Sequence, residues 1–345
     1  MDKWEITLYL VVVLLIAGCG ISTQNELPYS QSADRYVGLH PDPGAIESLE
    51  TALHSVYKLV VIIYYRQFLF NSEDQIRPAE VADSTFHRYV QDTISFNSSV
   101  IGTATVIDRT ENRVALLTCA HVVDKPDTLF THFTGENNRK TPYLRSFSLR
   151  QRHHFFLAEV SALGNLEILA MDRDADLAVL GGTLPEESEE ELPPLPYSFG
   201  RVNRLSWGSL VYVLGYPWGK RMVTSGIASL TSPGNRTFTI DAPFNQGMSG
   251  GLVLAHRDDP QQPEILGITN TTSGEYEARL APPDTLEPGD YSTNVPYDGE
   301  LYIRYSKKIS YGVTNVVPID RIIRFLKSHE ASLKSRGYDL NNLYD

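Results

Sequence analysis

Three residue types that together can turn a hydroxyl into a nucleophile stand at the ends of apolar runs in this chain. They are Ser249 in "NQGMSGGLVL", His121 in "ALLTCAHVVD" and Asp176 in "DRDADLAVLGG". A serine hydroxyl is a weak nucleophile until a base takes its proton, and an imidazole base needs a carboxylate to orient it. Each residue also has a plainer reading. A serine among glycines can be filler in a tight turn, where glycine supplies positive φ. A histidine at a strand end can be a satisfied polar residue, and an aspartate before a strand is a common turn former. Of Asp172, Asp174 and Asp176, only Asp176 abuts the apolar run. The joint occurrence, in the order His, Asp, Ser and in one kind of strand context, favours nucleophilic catalysis over three unrelated turns.

The elements that must hold these residues are mostly β. "SVIGTATVIDR", "RVALLTCAHVV", "DLAVLGG", "GSLVYVLGYP", "GGLVLAH" and "EILGITNTT" are short runs rich in β-branched and aromatic residues, separated by turn formers. Few long helical patterns intervene, which favours an all-β sandwich or barrel over an α/β fold. "AIESLETALHSVYKLVVIIYY" predicts a short helix leading into a buried strand. Ile319, Ile322, Ile323, Leu326 and Leu333 have the spacing of a C-terminal helix packed against the sheet. Residues 70–97 and 257–305 are polar or rich in Pro, Asp and Tyr, and read as insertions made of long loops.

The chain has 345 residues, of which 42% are hydrophobic, and a formal net charge of −12. So acidic a chain is unsuited to a general grip on nucleic acid, which needs a basic surface. "PEESEEEL" carries part of the excess and reads as a solvated loop. Near the start, "ITLYLVVVLLIAGCG" is too short for a comfortable membrane span and ends in small residues, the pattern of a secretory signal. Its end, Leu15 to Cys19, resembles the bacterial lipoprotein signal, although Asp2 and Glu5 offset Lys3 where such leaders are usually basic. The resemblance implies a signal peptide over residues 1–18, a lipid on Cys19 and a polar tether over 19–45. The bulk of the protein would then be extracytoplasmic, anchored to a bacterial membrane. An uncleaved anchor is the other reading, with the same sidedness. Cys119 would have no intramolecular partner, and its apolar neighbours suggest a buried small side chain rather than a reactive thiol.

"TCAHVV", "DADLAVL" and "NQGMSGG" resemble the T-x-A-H, D-L-A and G-x-S-G-G motifs of trypsin-like serine peptidases. "GSLVYVLGYPWG" and "YGVTNVVPIDRIIRFL" are similar to the HtrA/Deg-type branch. The likeness covers most of residues 50–330 in patches and implies a protease domain over 46–330. It implies a chymotrypsin-like fold of two six-stranded antiparallel β-barrels with the site between them, and an endopeptidase acting on proteins or peptides. His121 would be general base and then general acid, Asp176 its orienting partner, and Ser249 the nucleophile. Gly247 and Ser249 would donate backbone N–H groups to the oxyanion. Pro243, Phe244, Ile268, Thr269 and Asn270 would line the primary pocket; none is charged, which suits small or medium apolar side chains, unless Phe244 fills the pocket itself. No cofactor is implied, and no metal, since the adjacent His153 and His154 lack zinc-ligand spacing. The chain departs from the HtrA pattern in two places: Met248 stands where Asn is frequent, and residues 331–345 are too few for a PDZ domain. The resemblance does not extend to an oligomeric state. Two other readings are a catalytically silent scaffold of the same fold and a glycan-binding β-domain.

Overall fold

The computed structural model describes residues 43–82, 84–135, 139–229, 237–257, 259–283 and 294–340. The signal, Cys19 and nearly all of the expected tether lie outside the described residues. The first described element is helix α1 (Pro43–Leu53), which leads within three residues into strand β1 (Val56–Phe70). That strand alternates over its middle: Leu59, Val61, Ile63 and Tyr65 are buried, while Val60, Ile62, Tyr64 and Arg66 lie on the other face.

Six further strands join β1 in one antiparallel sheet: β2 (Val90–Thr110), β3 (Arg113–Thr118), β4 (Thr128–Thr134), β5 (Lys140–Leu157), β6 (Glu167–Asp172) and β7 (Leu177–Thr183). Their order is β4-β5-β1-β2-β3-β7-β6. The other six strands are β8 (Leu210–Gly215), β9 (Met222–Ser229), β10 (Phe238–Ile240), β11 (Leu252–Ala255), β12 (Glu264–Ala281) and β13 (Tyr302–Pro318). They close into a barrel in the order β10-β13-β12-β11-β8-β9. The architecture is all-β with a C-terminal helix, consistent with a chymotrypsin-like double barrel. The first half departs from a closed six-stranded barrel: it is a seven-stranded sheet with β4 and β6 at its edges.

The stretches that read as loops hold more structure than their composition suggests. Ser72–Asp74, Pro78–Val81 and Ser84–Tyr89 form three short 3₁₀ turns. Val81 and Phe86 from these turns and Ile76 between them pack with Phe68, Phe70, Leu144 and Phe147 into a small core of their own. Residues 264–281 and 302–318 form one long hairpin, with Leu280 opposite Ile303 near its far end. Helix α2 is a single turn (Ala120–Val123), and helix α3 runs over Ile319–Ser335. Ile319, Ile322, Phe325, Leu326 and Leu333 are its buried residues, the apolar stripe of an amphipathic helix. Beyond α3, Tyr338 and Leu340 are buried as well. Thr105, Leu117, Leu252, Ile268, Ile319 and Ile322 meet around one small apolar void, so sheet, barrel and helix share a core. Among the described residues no helix is long and apolar enough to cross a membrane.

Candidate active site

Register alone brings His121 and Asp176 to one end of the sheet. Strands β3 and β7 pair antiparallel with Thr118 opposite Ala178. Residues just after Thr118 and just before Leu177 therefore leave the sheet side by side. After Cys119 the chain makes the single turn of α2, which holds His121.

The aspartate-rich turn before β7 divides its work among its members. Asp172 accepts the Ala175 N–H at 2.8 Å. Arg173 makes a two-pronged bond to Asp124, at 2.5 and 3.0 Å. Arg321 of α3 donates to the Asp174 carbonyl at 2.5 Å. Asp176 sits at φ 55°, in the left-handed region that aspartate tolerates better than most residues. Its carboxylate accepts the His121 backbone N–H at 2.8 Å and faces the ring Nδ1 at 2.7 Å. An ionised carboxylate only accepts, so Nδ1 carries the proton and Nε2 presents a lone pair. That lone pair faces the Ser249 hydroxyl at 2.8 Å.

Ser249 is fixed by two glycines and a threonine. Gly247 and Gly250 have φ of 101° and 85°. A Cβ on Gly247 would lie 2.1 Å from the Tyr216 carbonyl, and one on Gly250 would lie 2.1 Å from the Thr103 carbonyl. No side chain fits at either place. Thr103, on β2 of the first sheet, clamps this loop of the second half. Its N–H donates to the Ser249 carbonyl at 2.8 Å, and its hydroxyl to the Gly247 carbonyl at 2.8 Å. The same hydroxyl accepts the Tyr216 N–H at 3.0 Å. From below, the Thr269 hydroxyl donates to the Met248 carbonyl at 2.5 Å.

The loop also presents donors. Trp218 N–H holds the Gln246 carbonyl at 2.7 Å. The peptide bond is planar and trans, so the Gly247 N–H points to the opposite edge of that unit. Among the described residues nothing accepts the N–H of Gly247 or of Ser249. Two free donors thus lie within two residues of the serine hydroxyl, the arrangement that stabilises a developing oxyanion.

Of the five residues expected to line the pocket, Ile268 and Thr269 are fully buried and Phe244 is packed in the barrel core. Pro243 and Asn270 keep open surface. The Asn270 carbonyl lies 3.3 Å from the Ser249 hydroxyl, a longer alternative to His121.

Cys119, His121 and Asp176 bring their ligand atoms within 4.8 Å of one another. They make a poor metal site. Cys119 is fully buried, its thiol already donates to the Thr269 carbonyl at 3.4 Å, and burial first, then the charge of Asp176, pushes that thiol well up. Both nitrogens of His121 already face partners.

Sequence reasoning missed Thr103, Trp218 and the inward role of Thr269. Thr103 bonds across the two halves, while Trp218 and Thr269 bond to the Gln246 and Met248 carbonyls from elsewhere in the second half, and no motif spacing announces those contacts.

Residues 102–259 match the family model of the trypsin-like peptidase domain. That span contains His121, Asp176 and Ser249. The match supports a serine-protease type of function acting on proteins or peptides. Among solved structures, the chain is similar to Rv3671c from M. tuberculosis H37Rv, in the crystal structure of a serine-to-alanine mutant described as an inactive form. The identity is 16% and the TM-score 0.40, over 86% of this chain and 97% of that one. No curated protein matches the chain.

Proposed function

We propose that the protein is a serine endopeptidase working through an acyl-enzyme, with Ser249 as nucleophile, His121 as base and Asp176 as orienting partner. One observation carries the reading: a continuous line of short contacts, 2.7 Å from Asp176 to Nδ1 and 2.8 Å from Nε2 to the Ser249 hydroxyl. The hydroxyl would attack the peptide carbonyl as Nε2 takes its proton. The oxyanion would receive the N–H groups of Gly247 and Ser249. His121, then protonated and stabilised by Asp176, would return the proton to the leaving amine. Water would repeat the cycle on the acyl ester.

Pro243 and Asn270 would border the primary pocket, and the lack of charge there favours small or medium apolar side chains. The motifs after residue 207 support an HtrA/Deg-type relative. The lipoprotein-like run ending at Cys19 supports export and a lipid anchor in a bacterial envelope. The test is covalent labelling by a fluorophosphonate, which would modify the wild-type chain and not Ser249→Ala.

A further inference from the structure

The outer face of β1 carries side chains that neither the core nor the site uses. Register sets the rungs across it. Val60 lies between Ile101 of β2 and Phe156 of β5. Ile62 lies between Ser99 and His154, and Tyr64 between Asn97 and Arg152. Two concavities open on this face. One, of about 530 Å³, is walled by Arg66, Arg152, Tyr64, Asn97 and His154. The other, of about 440 Å³, is lined by Ile62, Phe156, Leu157 and Val160. They share Tyr64 and His154, whose rings meet edge to face at 5.9 Å, so they are two ends of one groove.

The two ends differ in chemistry. No carboxylate lines the larger concavity, and among the described residues neither the Arg66 nor the Arg152 side chain makes an ion pair or hydrogen bond. Arg150, one bulge away on β5, is by contrast paired with Asp127. Two unpaired guanidiniums in a chain of net charge −12 form a local cationic cup beside exposed aromatic surface. Guanidinium forks match carboxylates in shape and charge. The other end is apolar and would bury an aliphatic or aromatic side chain.

The face that carries these concavities begins beside the catalytic loop, one rung before Ile62. Ile101, on the rung of Val60, comes within 3.5 Å of where a Cβ on Gly247 would stand. Lys58, earlier on the same strand, donates to the Gly219 carbonyl at 3.4 Å. From Val60 to Arg66 the strand runs roughly 20 Å, about six residues of extended peptide.

We infer that this groove, given the peptidase reading above, is an extended substrate subsite. It takes a peptide segment in which an apolar residue is followed, two to four positions on, by acidic side chains. The apolar residue lies against Ile62 and Phe156, and the carboxylates meet Arg152 and Arg66. The substrate chain itself is the occupant, since the face is continuous with the loop that holds Ser249.

The test uses the full chain carrying Ser249→Ala and two fluorescein-labelled octapeptides. Each has one Leu, followed two and four positions later by Glu in one peptide and Gln in the other. Fluorescence anisotropy should show the Glu peptide binding roughly tenfold more tightly, as charge-assisted bonds require. Arg66→Glu with Arg152→Glu should abolish that preference without lowering the melting temperature. In the Ser249 background the same double variant should react with fluorophosphonate as fast as wild type. Equal binding of both peptides, or a preference that survives the double variant, would overturn the groove. Preferential Glu binding by a chain that never labels would keep the binding site and overturn the peptidase reading instead.

Discussion

Replacing Thr103 with Val isolates the clamp between the two halves. Val keeps the shape and the methyl group but has no hydroxyl. Two buried backbone groups lose their partner, the Gly247 carbonyl and the Tyr216 N–H. An unsatisfied buried polar group costs about 1–3 kcal/mol, so the pair should destabilise the fold by about 2–6 kcal/mol. For a chain of this size that lowers the melting temperature by roughly 5 °C. The chemical consequence is larger. With the Gly247 carbonyl unheld, the peptide unit between Gly247 and Met248 can turn and carry the neighbouring Gly247 and Ser249 N–H groups out of aim, and on the proposed mechanism one lost oxyanion donor costs about 10²–10³ in rate. Thr103→Ser keeps the hydroxyl and serves as control. The assay is the rate of fluorophosphonate labelling beside a thermal melt. Thr103→Val should label at least about a hundredfold more slowly than Thr103→Ser. Equal labelling and equal melting in the two variants would refute the clamp.

Asp176→Asn should leave the fold intact yet reduce peptide hydrolysis by about 10³–10⁴, because an amide can donate to Nδ1 and select the wrong tautomer of His121; kcat measured above pH 7 checks this. His153 should make stability fall with acid. Burial, then Arg150 and Lys125, lowers its pKa from 6.5 to about 4. Between those values the unfolded chain binds a proton that the folded chain refuses, so stability drops as pH falls through that window and levels off below it. After discounting for its partial exposure the loss should be about 1–2 kcal/mol, and His153→Gln should flatten that slope in denaturant melts.

What the sequence disclosed follows from where each residue's information lies. The convergence of His121, Asp176 and Ser249 is legible because each stands at a strand end, and strand ends are marked by apolar runs and turn formers. Helices α1 and α3 are legible from periodicity. The long hairpin of β12 and β13 is not. Among the described residues its outer part contributes no buried side chain, so Leu280, Ile303 and Tyr305 stay exposed and no buried–exposed alternation builds up. The small core around Phe68 and Phe86 joins three separate segments, and its members look like scattered aromatics in a polar stretch. Ile268 and Thr269 point to opposite faces of β12, yet both are buried, Ile268 in the core shared with the sheet and helix and Thr269 under the Met248 carbonyl. Thr103 lies in an ordinary β-branched run, and only the meeting of the two halves gives its hydroxyl a task.

The most direct test of the central claim is the intact mass of the full chain after fluorophosphonate treatment, for wild type, Ser249→Ala and His121→Ala. An activated serine predicts one adduct per wild-type chain, mapped to Ser249, and none on either variant. A folded wild-type chain that gains no mass would contradict the account, as would an adduct that persists when His121 is removed.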